Sequence, residues 1–332
     1  MINIVAYIKN PDEKNKLTTI FNSLQRELDF KYQLIEIDLI DELQKKYDGK
    51  TPFIKIGPYS LSKEISEQHL RMTIMAAMDR DKQLKEVGDQ QYSKRIESGK
   101  NITNLDKVSL WLSKGYIWLM VFFLSLYVGL PFLAPYFLKI GAHLPANIIY
   151  TVYKPLCHQL AFRSWFIYGE QAYYPRNAAG IEGILTYEEI SSQSVINIRE
   201  AQQFKGNDFV GFKVALCQRD IAIYASMLLF GLLFIISGRR IKSIKWYIWV
   251  IIAIIPIGLD GFSQLPGLAS SLPEWLPIRE SNPTLRTITG TMFGFFTAWY
   301  LFPLIEESML ETRTIITEKI KYVNSLKANE SE

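Results

Sequence analysis

The stretch YIWLMVFFLSLYVGLPFLAP, residues 116–135, runs for twenty residues without one charged side chain. A helix needs about 20 apolar residues to cross the hydrocarbon core of a bilayer, so this segment makes the chain an integral membrane protein. Further along, Ile221–Ser237 and Ile288–Ile305 offer two more spans, and Trp246–Leu259 offers a shorter one containing Pro256 and Gly258 just before Asp260. Leu144–Trp165 is broken by Pro145, Lys154, Pro155, His158 and Arg163, and reads as an interfacial or re-entrant helix. A mean hydropathy of only +0.05 therefore averages two unlike parts, a charged first hundred residues and an apolar remainder.

The basic residues orient the spans. Arg239, Arg240, Lys242 and Lys245 fill the short loop between the second and third of them, which marks that loop as cytoplasmic. Both termini then lie in the cytoplasm, and residues 139–213 lie outside a plasma membrane whose lipid is the first partner. The start, MINIVAYIKNPDEKNK, lacks the apolar core and cleavage site of a signal peptide. With a net charge of +4 and no basic stripe interleaved with aromatics, nucleic acid is not an expected partner. The expected division is a first domain at 1–87, a linker or juxtamembrane helix at 88–115, a membrane domain at 116–305 with an outer loop at 166–211, and a cytoplasmic tail at 306–332.

In the first domain, INIVAYIK reads as a strand and Pro11–Leu28 as a helix with an apolar face. KYQLIEIDL alternates as a second strand, TPFIKIGPYSL reads as a hairpin, and a helix follows from about Ser66 to Asp79. This βαβ(α)ββα order, with Thr51-Pro52 opening the third strand, resembles the thioredoxin and glutaredoxin fold over roughly residues 1–85. The resemblance implies a cis proline at that point. The loop after the first strand, KNPDEKN, has no cysteine where that family carries its redox pair. Thiol exchange needs a thiolate, so the domain reads as a docking module for a cytoplasmic protein. The expected fold class is thus an α/β glutaredoxin-like domain followed by an all-α membrane domain of four spans and one interfacial or re-entrant helix.

Two polar strings interrupt the apolar half. LCHQLAFRSW carries Cys157, His158, Gln159 and Arg163, and LCQRDIAIY carries Cys217, Arg219, Asp220 and Tyr224. Ionisable groups at membrane depth are costly and mark sites. By the orientation above, these strings reach the same outer leaflet as Asp260, Gln264 and Arg286, so all of them are expected around one pocket. Cys217, Asp220 and Tyr224 share a helix face. Arg286 shares one with Thr289, Gly290 and Gly294, and the two glycines form a stripe that permits close helix contact. The motifs CHQ...R, CQRDIAIY, DGFSQL and RTITG, in this order over roughly residues 150–300, resemble the integral membrane proteins grouped as domain of unknown function 2085. That resemblance implies a polytopic membrane protein and names no activity.

The residue types leave several chemistries open. Cys157, His158 and Cys217 are the expected metal ligands, with zinc the expected ion and Asp260 a fourth donor. Asp220 and Tyr224 would then act as acid, base or supporting groups, on a lipid-linked or extracytoplasmic substrate. Alternatively the two cysteines cycle between dithiol and disulfide, or form a static disulfide across the bundle. Arg163, Arg219 and Arg286 would hold an anionic head group, as in a transport or binding subunit, or would anchor to lipid phosphates. Asp220 and Asp260 also suit ion pairs with those arginines that fix helix register.

Overall fold

The computed structural model describes residues 2–37, 41–62, 65–192, 196–264 and 280–330. The chain forms two compact units, residues 1–114 with 308–332, and residues 115–307.

In the first unit, β1 (Ile2–Ile8), α1 (Pro11–Leu24), β2 (Phe30–Glu36), α2 (Asp41–Tyr47), β3 (Phe53–Ile56) and β4 (Tyr59–Ser62) build a sheet of order β2-β1-β3-β4. Strand β1 runs parallel to β2 and antiparallel to β3, and the Thr51–Pro52 peptide is cis. Ile4, Ala6 and Ile8 pack on one face with Leu17, Phe21 and Ile74, while Tyr7 packs on the other with Ile35, Leu43 and Tyr47. A strand covered on both sides reads as a near-continuous apolar run, which is why INIVAYI does not alternate with polar residues. Helix α3 spans Glu67–Glu86, longer than the expected end near Asp79, because RDKQLKE continues with good helix formers and a Lys85–Asp81 pair at 2.6 Å. Helix α4 (Gln90–Lys100) starts on the Asp89 carboxylate, which accepts from the amides of Gln91 and Tyr92. From the last helix, the Glu318 carboxylate accepts from Tyr47 Oη at 2.8 Å and Lys55 Nζ at 2.6 Å. Burial first, and then the Glu318 charge, pushes the Tyr47 phenol up from its ordinary value.

Among the described residues three helices are long and apolar enough to cross a membrane: α5 (Asn104–Lys139), α9 (Gln218–Ile236) and the last helix, Pro283–Glu330. The apolar run Trp246–Phe262 is shorter. It comprises α10 (Trp246–Trp249), a π-helical turn at Val250–Ile254 and α11 (Ile255–Phe262). Pro256 has no N–H to return to Ile252, and the turn before it widens accordingly. The last helix is numbered α12.

The expected helix at Leu144–Trp165 is corrected to an 11-residue helix, α6 (His143–Tyr153). Past Tyr153 the chain leaves the helix at Lys154-Pro155, where Pro155 has no N–H to return to Thr151, and passes through a short 3₁₀ turn at Ala161–Arg163 into β5 (Ser164–Ile167). The all-α expectation for this half is likewise corrected. Strands β5, β6 (Gly206–Asn207) and β7 (Gly211–Cys217) form a sheet of order β5-β7-β6. Phe162, Phe166, Tyr174, Tyr187 and Val210 bury a separate core beneath α7 (Tyr187–Ser191) and α8 (Ile198–Gln203). Helix α7 opens on a capping box, in which the Thr186 and Glu189 side chains each accept from the other residue's amide. GFKVALC reads as a strand once its cover is known, but in the sequence it merges with the apolar run behind it.

Helices α9 and α12 meet along the glycine stripe. A Cβ on Gly290 would lie 2.8 Å from Arg219 O, and one on Gly294 2.0 Å from Ile223 O. Gly294→Ala is therefore expected to cost about 1–3 kcal/mol by overpacking, seen as a lower melting temperature in detergent. Gly258→Ala, with nothing within 4 Å of the added atom, should leave melting nearly unchanged.

Candidate functional site

Strand pairing brings the two cysteine segments together. Ser164 of β5 lies opposite Cys217 of β7, so the loop before β5 runs beside the end of β7. In that loop Gln159 adopts the left-handed region at φ 52°, unusual for a residue with a side chain. This bend aims the Gln159 amide at Cys157 Sγ, 3.5 Å away. Cys217 is at once the last residue of β7 and the N-cap of α9, and its sulfur accepts from the Asp220 amide at 3.4 Å. Helix α9 starts at Gln218 because Cys217 is extended.

Both cysteines are free thiols, so the static disulfide is not formed. Cys157 Sγ, Cys217 Sγ and a carboxylate oxygen of Asp220 lie within 4.8 Å of one another. Tetrahedral zinc with sulfur bonds of about 2.3 Å sets its ligands about 3.8 Å apart, so closing this trio on one ion requires a contraction of about 1 Å at most. Cys157 is buried, and the Cys217 thiol is pushed well up, chiefly by its hydrogen bond with Cys157 and then by burial. A dication set among the three would reverse the shift of Cys217 and favour its thiolate. Asp220, expected as an acid or base, is the third donor of this cluster. His158, expected as a ligand, stands outside it and is exposed.

The trio opens into a cavity of about 240 Å³. His158, Arg163, Arg219, Asp220, Gln264 and Arg286 line it with the two cysteines, so segments far apart in sequence share one chamber. Tyr224 and Asp260 are not among the lining residues. The Tyr224 ring meets Tyr127 edge-on with centroids 4.4 Å apart. Asp260, 4% exposed, forms an ion pair with Arg219 and accepts from Ser281 Oγ at 3.2 Å. Gln264 folds back, donating from Nε2 to Asp260 O at 2.6 Å.

Two buried groups have no counterpart among the residues singled out in the sequence. Glu280, 4% exposed, accepts from Arg163 Nε at 2.8 Å and Nη2 at 3.0 Å, and also pairs with Arg286. Arg286 donates in addition to Phe162 O at 3.2 Å, which ties α12 to the 3₁₀ turn. An acidic residue after an apolar, proline-rich stretch carries no periodic signal, and only the unmatched Arg163 and Arg286 hint that such a carboxylate is needed. The second group, Lys213, is fully buried, and its amine donates to Gln159 O at 2.7 Å and Gln202 O at 2.8 Å. Tyr150 Oη donates to Lys213 O, while Gln159 Nε2 donates to Tyr150 O at 3.0 Å. This closed ring of bonds holds the bend at Gln159.

Two carbonyls satisfy both hydrogens of a neutral amine, and burial brings the Lys213 pKa down to about 7. The folded value thus lies below the unfolded one, so between about pH 7 and pH 10 the unfolded chain holds the extra proton and stability rises with pH. Lys213→Met is expected to flatten that rise, as measured by melting temperature between pH 6.5 and 9.5.

Comparison with known proteins agrees with a membrane class and supplies no activity. A family described as "Predicted membrane protein (DUF2085)" matches residues 206–300. The "Uncharacterized protein MJ1492" of Methanocaldococcus jannaschii is 28% identical over 205 residues, 59% of this chain and 96% of that protein. No solved structure matches the chain.

Proposed function

We propose that the chain is a membrane-embedded metal protein in which Cys157, Cys217 and Asp220 hold one zinc ion at the head of the spans. The observation that carries this reading is the meeting of two thiols and a carboxylate within 4.8 Å at the wall of a polar cavity. Three protein ligands with an open position are the pattern of catalytic rather than structural zinc, and zinc so bound supplies a water of lowered pKa. The chain's own groups complete the arrangement. The Gln159 and Asp220 amides donate to the two sulfurs and fix their positions. Arg163, Arg219 and Arg286 orient an anionic substrate in the cavity, and His158 stands at its wall to move a proton. Under this reading the substrate is lipid-linked or extracytoplasmic. Trp246–Phe262 serves as a fourth crossing, shortened by its π turn, and the basic loop 239–245 keeps both termini cytoplasmic.

For the first unit we favour a thioredoxin-like fold without redox cysteines, acting as a docking module. The sheet order β2-β1-β3-β4 with β1 parallel only to β2 supports it.

Metal analysis of the full-length protein in detergent tests the central claim. About one zinc per chain is expected, and cobalt exchange should give the sulfur-to-cobalt absorption of a thiolate site. The reading is falsified if both thiols are free and no stoichiometric transition metal is retained. A thiol pair that instead titrates reversibly with a redox buffer would assign the site to dithiol chemistry.

A further inference from the structure

We infer that the ligand of this cavity is a phosphoryl group, bound by its oxygens to Arg163, Arg219 and Arg286; this deepens the zinc reading and rests on it only for the ion's share of the binding. Charge comes first. Three guanidinium groups line the chamber and Asp220 is the one carboxylate among its lining residues, while Glu280 and Asp260 pair with the arginines without lining it. Three guanidinium groups against the two carboxylates of Glu280 and Asp260 leave that wall with one positive charge in excess.

Geometry comes second. Arg219 and Arg286 each keep a buried Nε–H with no acceptor among the described residues. A buried donor without a partner costs about 1–3 kcal/mol, so two of the lining arginines keep hydrogen-bonding capacity that the described residues leave unused. Planar guanidinium forks suit phosphate better than they suit a halide or a neutral sugar.

The surroundings come third. Leu156 lines the cavity and is 56% exposed, in line with exposed Leu144, Ile148 and Val152 on α6. In a membrane protein such a strip faces acyl chains, so a phosphate carried on a lipid would sit in the chamber with its tail leaving over Leu156.

Binding of dioleoyl phosphatidic acid, dioleoyl phosphatidylcholine and inorganic phosphate to the full-length protein in detergent micelles tests this, with zinc content measured on every sample. Phosphatidic acid is expected to bind saturably, one per chain, and to be displaced by inorganic phosphate. Arg163→Gln should weaken it at least tenfold with zinc content unchanged. Leu156→Asp should weaken the lipid and spare inorganic phosphate if the headgroup is the natural source. Tight binding of inorganic phosphate, with phosphatidic acid no better than phosphatidylcholine, would support the phosphoryl site and assign it to a free phosphate compound. Phosphate binding without zinc would sink the metal reading and leave this one standing. Stoichiometric zinc with phosphatidic acid no tighter than phosphatidylcholine, and no uptake of inorganic phosphate, would overturn it.

Discussion

Cys217→Ser is expected to abolish stoichiometric zinc and to weaken affinity on the order of 1000-fold, about 4 kcal/mol. Cys217 contributes more than a sulfur. It caps α9, and its Sγ accepts the Asp220 amide at 3.4 Å, so the same atom positions a second donor of the trio. Serine keeps the cap, since a hydroxyl is a good N-cap acceptor. The helix therefore survives, and the loss reads on the ion alone. Asp220→Asn should fall between Cys217→Ser and the parent, because an amide oxygen still reaches the ion without its charge. His158→Ala is the contrast: His158 is exposed and outside the trio, so zinc content should hold while any activity on a phosphoryl substrate falls. Equal loss of zinc in His158→Ala and Cys217→Ser would mean that the histidine, not the aspartate, completes the ligand set. Inductively coupled plasma analysis of gel-filtered protein distinguishes these outcomes.

Much of this arrangement is legible in the sequence because membranes make polarity conspicuous. Arg163, Arg219, Asp220, Gln264 and Arg286 stand out against apolar neighbours, and the basic loop at 239–245 sets the end of the bundle at which they are expected to meet. All five line one cavity. What the residues do not disclose has a common cause, namely that it depends on backbone turns rather than periodicity. Composition puts Cys157 and His158 on one helix, but Pro155 ends α6 early and leaves both in an irregular segment, Cys157 buried and His158 exposed. Adjacent residues thereby part company, and Cys157 meets Asp220 instead of sharing an ion with His158. Strand β7 gives no signal of its own because both of its faces are covered, so FKVALC has the composition of the helix that follows. Asp260 is legible as a candidate ion-pair partner of one of the arginines, and the structure selects Arg219 for it.

Glu280→Ala should cost about 3–5 kcal/mol, more than the glycine-stripe substitution, because it strands a buried charge. Arg286 is 2% exposed and pairs with Glu280, and Arg163 holds the same carboxylate with two bonds at 2.8 and 3.0 Å. Removing the acid leaves two guanidinium groups facing each other in a poorly hydrated place, with Arg176 a further 3.9 Å contact of the lost oxygen. The expected drop in melting temperature is about 10 °C. Glu280→Gln keeps the volume and two acceptor lone pairs, so it should lose less, yet it cannot balance the charge. The informative variant is the pair Glu280→Leu with Arg286→Met. Replacing both members of a buried ion pair by apolar residues of similar size is often neutral, so the double change should recover most of the stability lost by Glu280→Ala. It should not recover phosphoryl binding, because one of the three guanidinium groups is gone. If the double variant melts as low as Glu280→Ala, the cost lies in packing rather than in the stranded charge. If it melts like the parent and still binds phosphate, Arg286 is a structural tie between α12 and the 3₁₀ turn, and the ligand is held by Arg163 and Arg219 alone.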